Sequence, residues 1–402
     1  MKLLIKWYYI ILIYTWSFVD VITGFNLHSS NEINFNIAQV SRSLLLVFSL
    51  IIVFLNTRFY NKTILFFIST LFTLLFIKIF YYKFPFSFLY FNTKTFGWII
   101  NLLALYILFK SKIIIKKHFI NALYINFIII FLSICLSYFG YGFSKYGENS
   151  DGQIIGSIGF FYSGNELNSA LFLIYSSFFY IYRNSFKKFI TLGLIFFIVT
   201  ISTLSKSIIL GYIFIIVLTK NVYFANKINV KAKFYLLFLV VLIYYISINF
   251  NSFNSYLEGF NFIYERSDSF IEFISSGRNL RFEAFNSTNF FNNPLNILIG
   301  TYHPENPIYT FEMDYIDIFF YNGILGIILI SLCWLLIYNL LKSNLNKNSK
   351  KYFIWVLIFY NVISFFAGHT LASQMSFLFL TIFITTSLFD TNLDLQLLDE
   401  KA

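Results

Sequence analysis

In 402 residues the chain carries only two cysteines, four prolines and four histidines, and only 12% of it is charged. Cys135 and Cys333 stand far apart, each inside an apolar run. They make neither a Cys-x-x-Cys pair nor a disulfide framework, which argues against redox and metal roles. No two histidines fall at metal-ligand spacing and no carboxylate run resembles Asp-x-Asp, so neither metal nor other cofactor is expected. A soluble globular chain would be about one-quarter charged, and this one falls well short of that. Soluble domains, low-complexity linkers and internal repeats are likewise missing from the pattern.

What fills the space is apolar: 58% hydrophobic residues with a mean hydropathy of +0.72. A bilayer-spanning helix needs about 20 predominantly apolar residues, and runs approaching that length recur throughout. The expected fold is all-α, a polytopic transmembrane helical protein of about 12 spans in which residues 1–402 form a single integral membrane domain. Spans are read near 7–25, 37–55, 63–81, 95–109, 119–139, 167–182, 188–204, 207–220, 234–250, 315–341, 352–368 and 375–389. The first run, Trp7 to Phe25, lacks a small-residue cleavage site and reads as a retained helix. Because 188–204 and 207–220 are short, they read either as two tilted or thinned spans or as one re-entrant hairpin.

A net charge of +11 would suit a nucleic-acid surface if the cations clustered on one soluble face. They lie instead in short segments between alternate spans: Asn56–Lys62, Lys110–His118, Arg183–Lys187, Asn221–Lys233 and Lys342–Lys351. The excess of Lys and Arg in these segments predicts that they are cytoplasmic, with both termini inside and the 251–314 segment outside. Such loops anchor to the anionic inner leaflet, so membrane lipids are expected partners and nucleic acid is not.

The large extracytoplasmic loop 251–314 is the one long polar interval, and it holds both signs of charge. Within it, Ser275-Ser276-Gly277-Arg278-Asn279-Leu280-Arg281 predicts serine N-caps followed by a short helix from Arg278 to Phe291 lying along the membrane surface. Arg278 and Arg281 share one face of its first turn. Cations there oppose the helix dipole unless an anion sits nearby, so the pair reads either as an anion-binding fork or as partners of Glu272, Glu283 or lipid headgroups. Farther on, Glu312 precedes a span that opens with Asp314, Asp317 and Tyr321 at i, i+3 and i+7. These acids either satisfy the helix start or face a cavity where they deprotonate or bind hydroxyls. Gly323 and Gly326 read as close-packing positions. Lys206, in Ser205-Lys206-Ser207, either snorkels to headgroups or holds an anion, and Arg42 carries the same ambiguity. His303 and His369 each read as a hydrogen-bonded structural residue or a base.

Those residues together resemble the Wzy-type O-antigen and capsular polysaccharide polymerases, which share a superfamily with the O-antigen ligases. The likeness rests on about twelve spans and one large external loop in the second half. To these it adds Ser276-Gly277-Arg278, Asn293-Pro294 leading to Gly300, and Glu312-Met313-Asp314-Tyr315. Tyr321-Asn322-Gly323-Ile324-Leu325-Gly326 and Gly159-Phe160 with Asn165 complete it. Ser205-Lys206-Ser207 is similar to the family's Ser-Arg-Ser/Thr, with Lys where a bidentate Arg would stand. Ligases usually carry a His-Asn pair eleven residues before the Gly-x-x-Gly, a slot that holds Glu312-Met313 here.

The resemblance implies an enzyme of the bacterial cytoplasmic membrane that joins undecaprenyl-pyrophosphate-linked oligosaccharides, donor and acceptor, at the outer face. A hydroxyl of the incoming unit attacks the anomeric carbon and displaces the lipid pyrophosphate. It implies that Arg278 and Arg281, with Lys206, bind the pyrophosphate. Glu312 or Asp314 would take the proton, with His303 in reserve, and Asp317, Tyr321 and His369 would bind sugar. A flippase and a chain-length regulator of the same pathway are its implied partners. The competing readings are an O-antigen ligase, a polytopic acyltransferase, and a lipid-linked oligosaccharide flippase or other transporter. A transporter should show helices broken by Gly or Pro inside the bundle and symmetry between halves.

Overall fold

A computed structural model describes residues 2–28, 37–56, 62–82, 86–137, 139–145, 156–161, 163–203, 205–224, 278, 289–301, 313–368, 370–371 and 373–389. Among these the chain is built of α-helices. In order they are α1 (Lys2–His28), α2 (Ile37–Leu55), α3 (Lys62–Tyr82), α4 (Phe86–Lys110), α5 (Lys116–Ser137), α6 (Gly164–Ile181), α7 (Phe186–Thr203) and α8 (Lys206–Tyr223). The short α9 (Pro294–Ile299) follows, then α10 (Asp314–Asn344), α11 (Lys347–Ala367) and α12 (Gln374–Thr386). Every expected span that falls within the described residues is occupied by a helix. The span near 234–250 and most of the 251–314 loop lie outside them.

Among the described residues six helices are long and apolar enough to cross a membrane: those over Lys6–Asn26, Ile37–Leu55, Lys116–Ser137, Phe186–Thr203, Lys206–Tyr223 and Asp314–Lys342. The 188–220 stretch is thus two separate helices, α7 and α8, of 18 residues each. Two shorter apolar helices cover Ile64–Phe80 and Met375–Phe389.

α6 and α12 form the centre. Leu167 to Tyr180 of α6 is buried on every face, as is α12 from Met375 onward. A helix apolar all round is a buried helix, and these two pack on each other with α4 and α8 around them. Their hydroxyls turn inward onto their own backbones: Ser176 donates to the Phe172 carbonyl, Ser177 to that of Leu173 and Thr385 to that of Thr381. That removes polar groups from an apolar interior without a partner helix. The outer helices do the reverse. Phe72, Phe76 and Phe80 of α3 are 60%, 62% and 73% exposed, one stripe at helical spacing. Water would penalise such a face; acyl chains would not.

Polar side chains fasten some of these helices. Asn126 of α5 enters the hydrogen-bond ladder of α1, donating to the Ile13 carbonyl and accepting from the Ser17 N–H, each at 2.8 Å. Tyr9 and Ser49 meet at 2.5 Å between α1 and α2, and Ser49 donates on to Asn101 of α4.

Three local features depart from the sequence reading. A two-stranded antiparallel hairpin, β1 (Phe143–Ser144) and β2 (Ser157–Gly159), interrupts the otherwise helical chain. Residues 289–292, at the end of the expected 278–291 helix, form a 3-10 turn. The reason is local: Asn293 precedes Pro294, is extended (φ −111°, ψ 112°) and caps α9 by accepting from Leu295 N–H. Finally, the expected continuous span at 315–341 is broken at Gly323, whose φ of 61° and ψ of −155° lie outside the helical region.

Candidate functional site

The ends of the helices sort by charge. At one end Arg183 lies over the Tyr180 ring and Lys350 over that of Tyr338, and Tyr223 donates to Ser349. At the other end α1 finishes, α6, α10 and α12 begin, and α7 turns into α8. This second end gathers both signs.

Its cationic part starts from the hairpin. β2 is seated on α5: the Phe160 N–H donates to Ser133 Oγ at 2.9 Å, and a Cβ at Gly159 (φ 60°) would lie 2.8 Å from the Ser133 carbonyl carbon. Only glycine allows both the left-handed backbone and that approach. So fixed, the hairpin carries Lys145, whose N–H bonds the Gly156 carbonyl at 2.6 Å. The Lys145 stem crosses Gly164, where an added Cβ would sit 3.1 Å from Cδ. Its Nζ then donates to Ser205 Oγ at 2.8 Å. Ser205 is the residue before α8, yet its hydroxyl makes no capping bond; it meets Lys145 and, at 3.1 Å, Ser207 Oγ.

Lys145 is pushed down to about 8, first by burial and then by the like charges of Arg278 and Lys206. The structure therefore brings Arg278 and Lys206 within electrostatic reach of a common third cation. Arg278 is 7% exposed and donates from Nη1 to the Phe366 carbonyl at 2.9 Å, in the last turn of α11. The C-terminal carbonyls of a helix welcome a cation, and this bond uses one of five guanidinium donors. Arg281 lies outside the described residues.

Four carboxylates stand at the same end. Asp20 pairs with Arg42, whose guanidinium also lies 5.2 Å from the Trp16 ring centre. Asp314, 1% exposed, accepts through Oδ2 from the Thr370 N–H, the Thr370 hydroxyl and the Leu371 N–H. Asp317 is 3% exposed. Glu166, in the first turn of α6, is half-buried and its N–H is capped by Ser163 Oγ. Glu312, His303 and His369 lie outside the described residues.

Tyr321 is set between α3 and α4. Its ring packs 4.4 Å from that of Phe91, and its carbonyl accepts from Lys78 of α3. The adjoining Phe320 carbonyl accepts from the Thr301 N–H at 2.9 Å. Both carbonyls belong to the turn that Gly323 breaks, so the break is satisfied from outside the helix. Gly300 and Gly323 allow this crossing: a Cβ at Gly323 would lie 2.5 Å from the Leu298 carbonyl carbon.

Sequence reasoning passed over Lys145 and Glu166. A signal for Lys145 existed, since it is a lone cation in a segment that the positive-inside rule puts outside. Chemically, three cations from three parts of the chain, interleaved with hydroxyls, suit a polyanion such as a diphosphate, and the nearby carboxylates suit proton transfer. Comparison with protein-family models, with curated proteins and with solved structures returns no match to this chain.

Proposed function

We propose that the chain is a membrane glycosyltransferase of the Wzy type, a polymerase that joins undecaprenyl-pyrophosphate-linked repeat units at the outer face of the bacterial cytoplasmic membrane. In this reading the chain has about 12 spans and both termini are cytoplasmic, as the basic loops suggest. The observation that carries it is the convergence of Arg278 and Lys206 on Lys145, beside carboxylates, at the end of the bundle opposite the basic loops.

The chemistry asks for two things. Charge developing on the departing pyrophosphate must be met by fixed cations, the electrostatic contribution that is usually largest. Arg278, Lys206 and Lys145 supply it, with Arg281 added from the same sequence motif. The attacking hydroxyl must lose its proton to a base. Glu312, Asp314 and His303 are the bases that the family motif suggests, and Asp317, Tyr321 and His369 its sugar contacts. The deciding experiment replaces Arg278 by Ala in a strain deleted for the chain. Long-chain polysaccharide is then lost while single repeat units still reach the cell surface; full-length polymer would end the assignment.

A lipid-linked oligosaccharide flippase is the second reading, favoured by one observation. A transporter is expected to break its helices at the binding site, and α10 is broken at Gly323 with the Lys78 cation on the exposed carbonyl. Under that reading the Arg278→Ala strain accumulates repeat units on the inner leaflet instead.

A further inference from the structure

We infer that Glu166 is the general base that takes the proton from the attacking hydroxyl, an inference that rests on the glycosyl-transfer reading above. The carboxylates at this end of the bundle are not equivalent. Asp20 is held by Arg42. The Asp314 oxygen Oδ2 is occupied by three donors from Thr370 and Leu371. A base needs an oxygen that substrate can reach, and Asp314 and Asp317 are 1% and 3% exposed. Glu166 is half-buried, and among the described residues its carboxylate makes no hydrogen bond or ion pair.

Position agrees with accessibility. Glu166 stands two residues beyond Gly164, the glycine over which the Lys145 stem passes on its way to Ser205. Asp20 of α1 and Tyr360 of α11 fall within its electrostatic reach, and Asp314 of α10 reaches the same Tyr360. The carboxylate therefore stands on the α6 side of this end of the bundle, within reach of α1 and α11, two residues along the chain from the glycine that the Lys145 stem crosses. The backbone around it is fixed: Ser163 Oγ caps its N–H and Ser169 donates to its carbonyl at 2.9 Å. A fixed backbone with an uncommitted side chain is what a proton acceptor requires.

The step balances. The acceptor hydroxyl oxygen bonds to the anomeric carbon, the bond from that carbon to the pyrophosphate oxygen breaks, and the lipid pyrophosphate leaves with the electron pair beside the cations. The hydroxyl proton passes to the Glu166 carboxylate and then to water.

The test uses the purified full chain in phosphatidylglycerol nanodiscs with lipid-linked repeat units extracted from a polymerase-deleted strain, assayed from about pH 5 to pH 9. Farnesyl pyrophosphate serves as the binding probe. Glu166→Gln should slow polymer formation about 100-fold, with probe binding within about twofold of the parent. Glu166→Asp should recover part of the rate. Activity of Glu166→Gln within about threefold of the parent overturns the role of Glu166 alone. If the parent makes no polymer, or Arg278→Ala leaves probe binding intact, the glycosyl-transfer reading falls and takes this one with it.

Discussion

One oxygen of Asp314 receives both the backbone N–H of Thr370 at 2.8 Å and its hydroxyl at 3.0 Å. The Leu371 N–H adds a third donor at 2.7 Å. A carboxylate at the start of α10 thus holds the segment that joins α11 to α12, and α12 is one of the two central helices. The same segment is closed from within, since Tyr360 donates to the Thr370 carbonyl at 2.8 Å. Removing the carboxylate strands buried donors, each costing about 1–3 kcal/mol. Asp314→Ala should therefore destabilise the protein by about 3 kcal/mol, read as a drop in the thermal midpoint of the detergent-solubilised chain. A purely catalytic Asp314 predicts the opposite pattern: lost activity with the midpoint unmoved.

The break in α10 makes a contrast between two glycines. At Gly323 the backbone is φ 61°, ψ −155°, a region essentially reserved for glycine, and a Cβ would lie 2.6 Å from the Gly300 nitrogen. Gly323→Ala should cost about 3 kcal/mol or more, enough to lower the yield of monodisperse protein on gel filtration. Gly193, inside α7, has ordinary helical backbone, and its nearest neighbour would be the Tyr212 hydroxyl oxygen at 3.8 Å. Gly193→Ala should be neutral or gain about 0.5–1 kcal/mol through lost chain entropy. Equal effects at the two positions would remove the argument that α10 is broken for a packing reason.

The difference between these residues also marks what the sequence could convey. Helix positions were legible because a run of Phe, Ile and Leu is sufficient to specify a helix in an apolar medium, wherever its partners lie. Gly323 was legible as a packing glycine, but the break was not. Whether a glycine bends or merely packs depends on the Leu298–Gly300 backbone crossing it, and that crossing is set by tertiary structure. Lys206 and Arg278 were readable as anion-binding candidates from their local settings. Lys145 stood out only as a lone cation in an external segment; its meeting with Ser205 spans 60 residues and depends on a hairpin seated by Gly159 and Ser133. The acids show the same limit. Spacing placed Asp314 at the mouth of a helix, yet nothing local points to Thr370, 56 residues away.

The cationic cluster carries a pH dependence of definite sign. Lys145 is held down to about 8 by burial and by Arg278 and Lys206, so it is charged below that value and neutral above it. An anion in the cluster favours the protonated amine, raises that value again and takes up a fraction of a proton on binding. Affinity for farnesyl pyrophosphate should therefore weaken roughly tenfold as pH rises through about 8, well below the range in which an ordinary lysine titrates. Titration calorimetry at pH 7.5 in two buffers of different ionisation heat should register the proton uptake, and Lys145→Met should abolish both the uptake and the step. A parent protein whose affinity is flat from about pH 7 to pH 9 would show that Lys145 does not share the anion with Arg278 and Lys206.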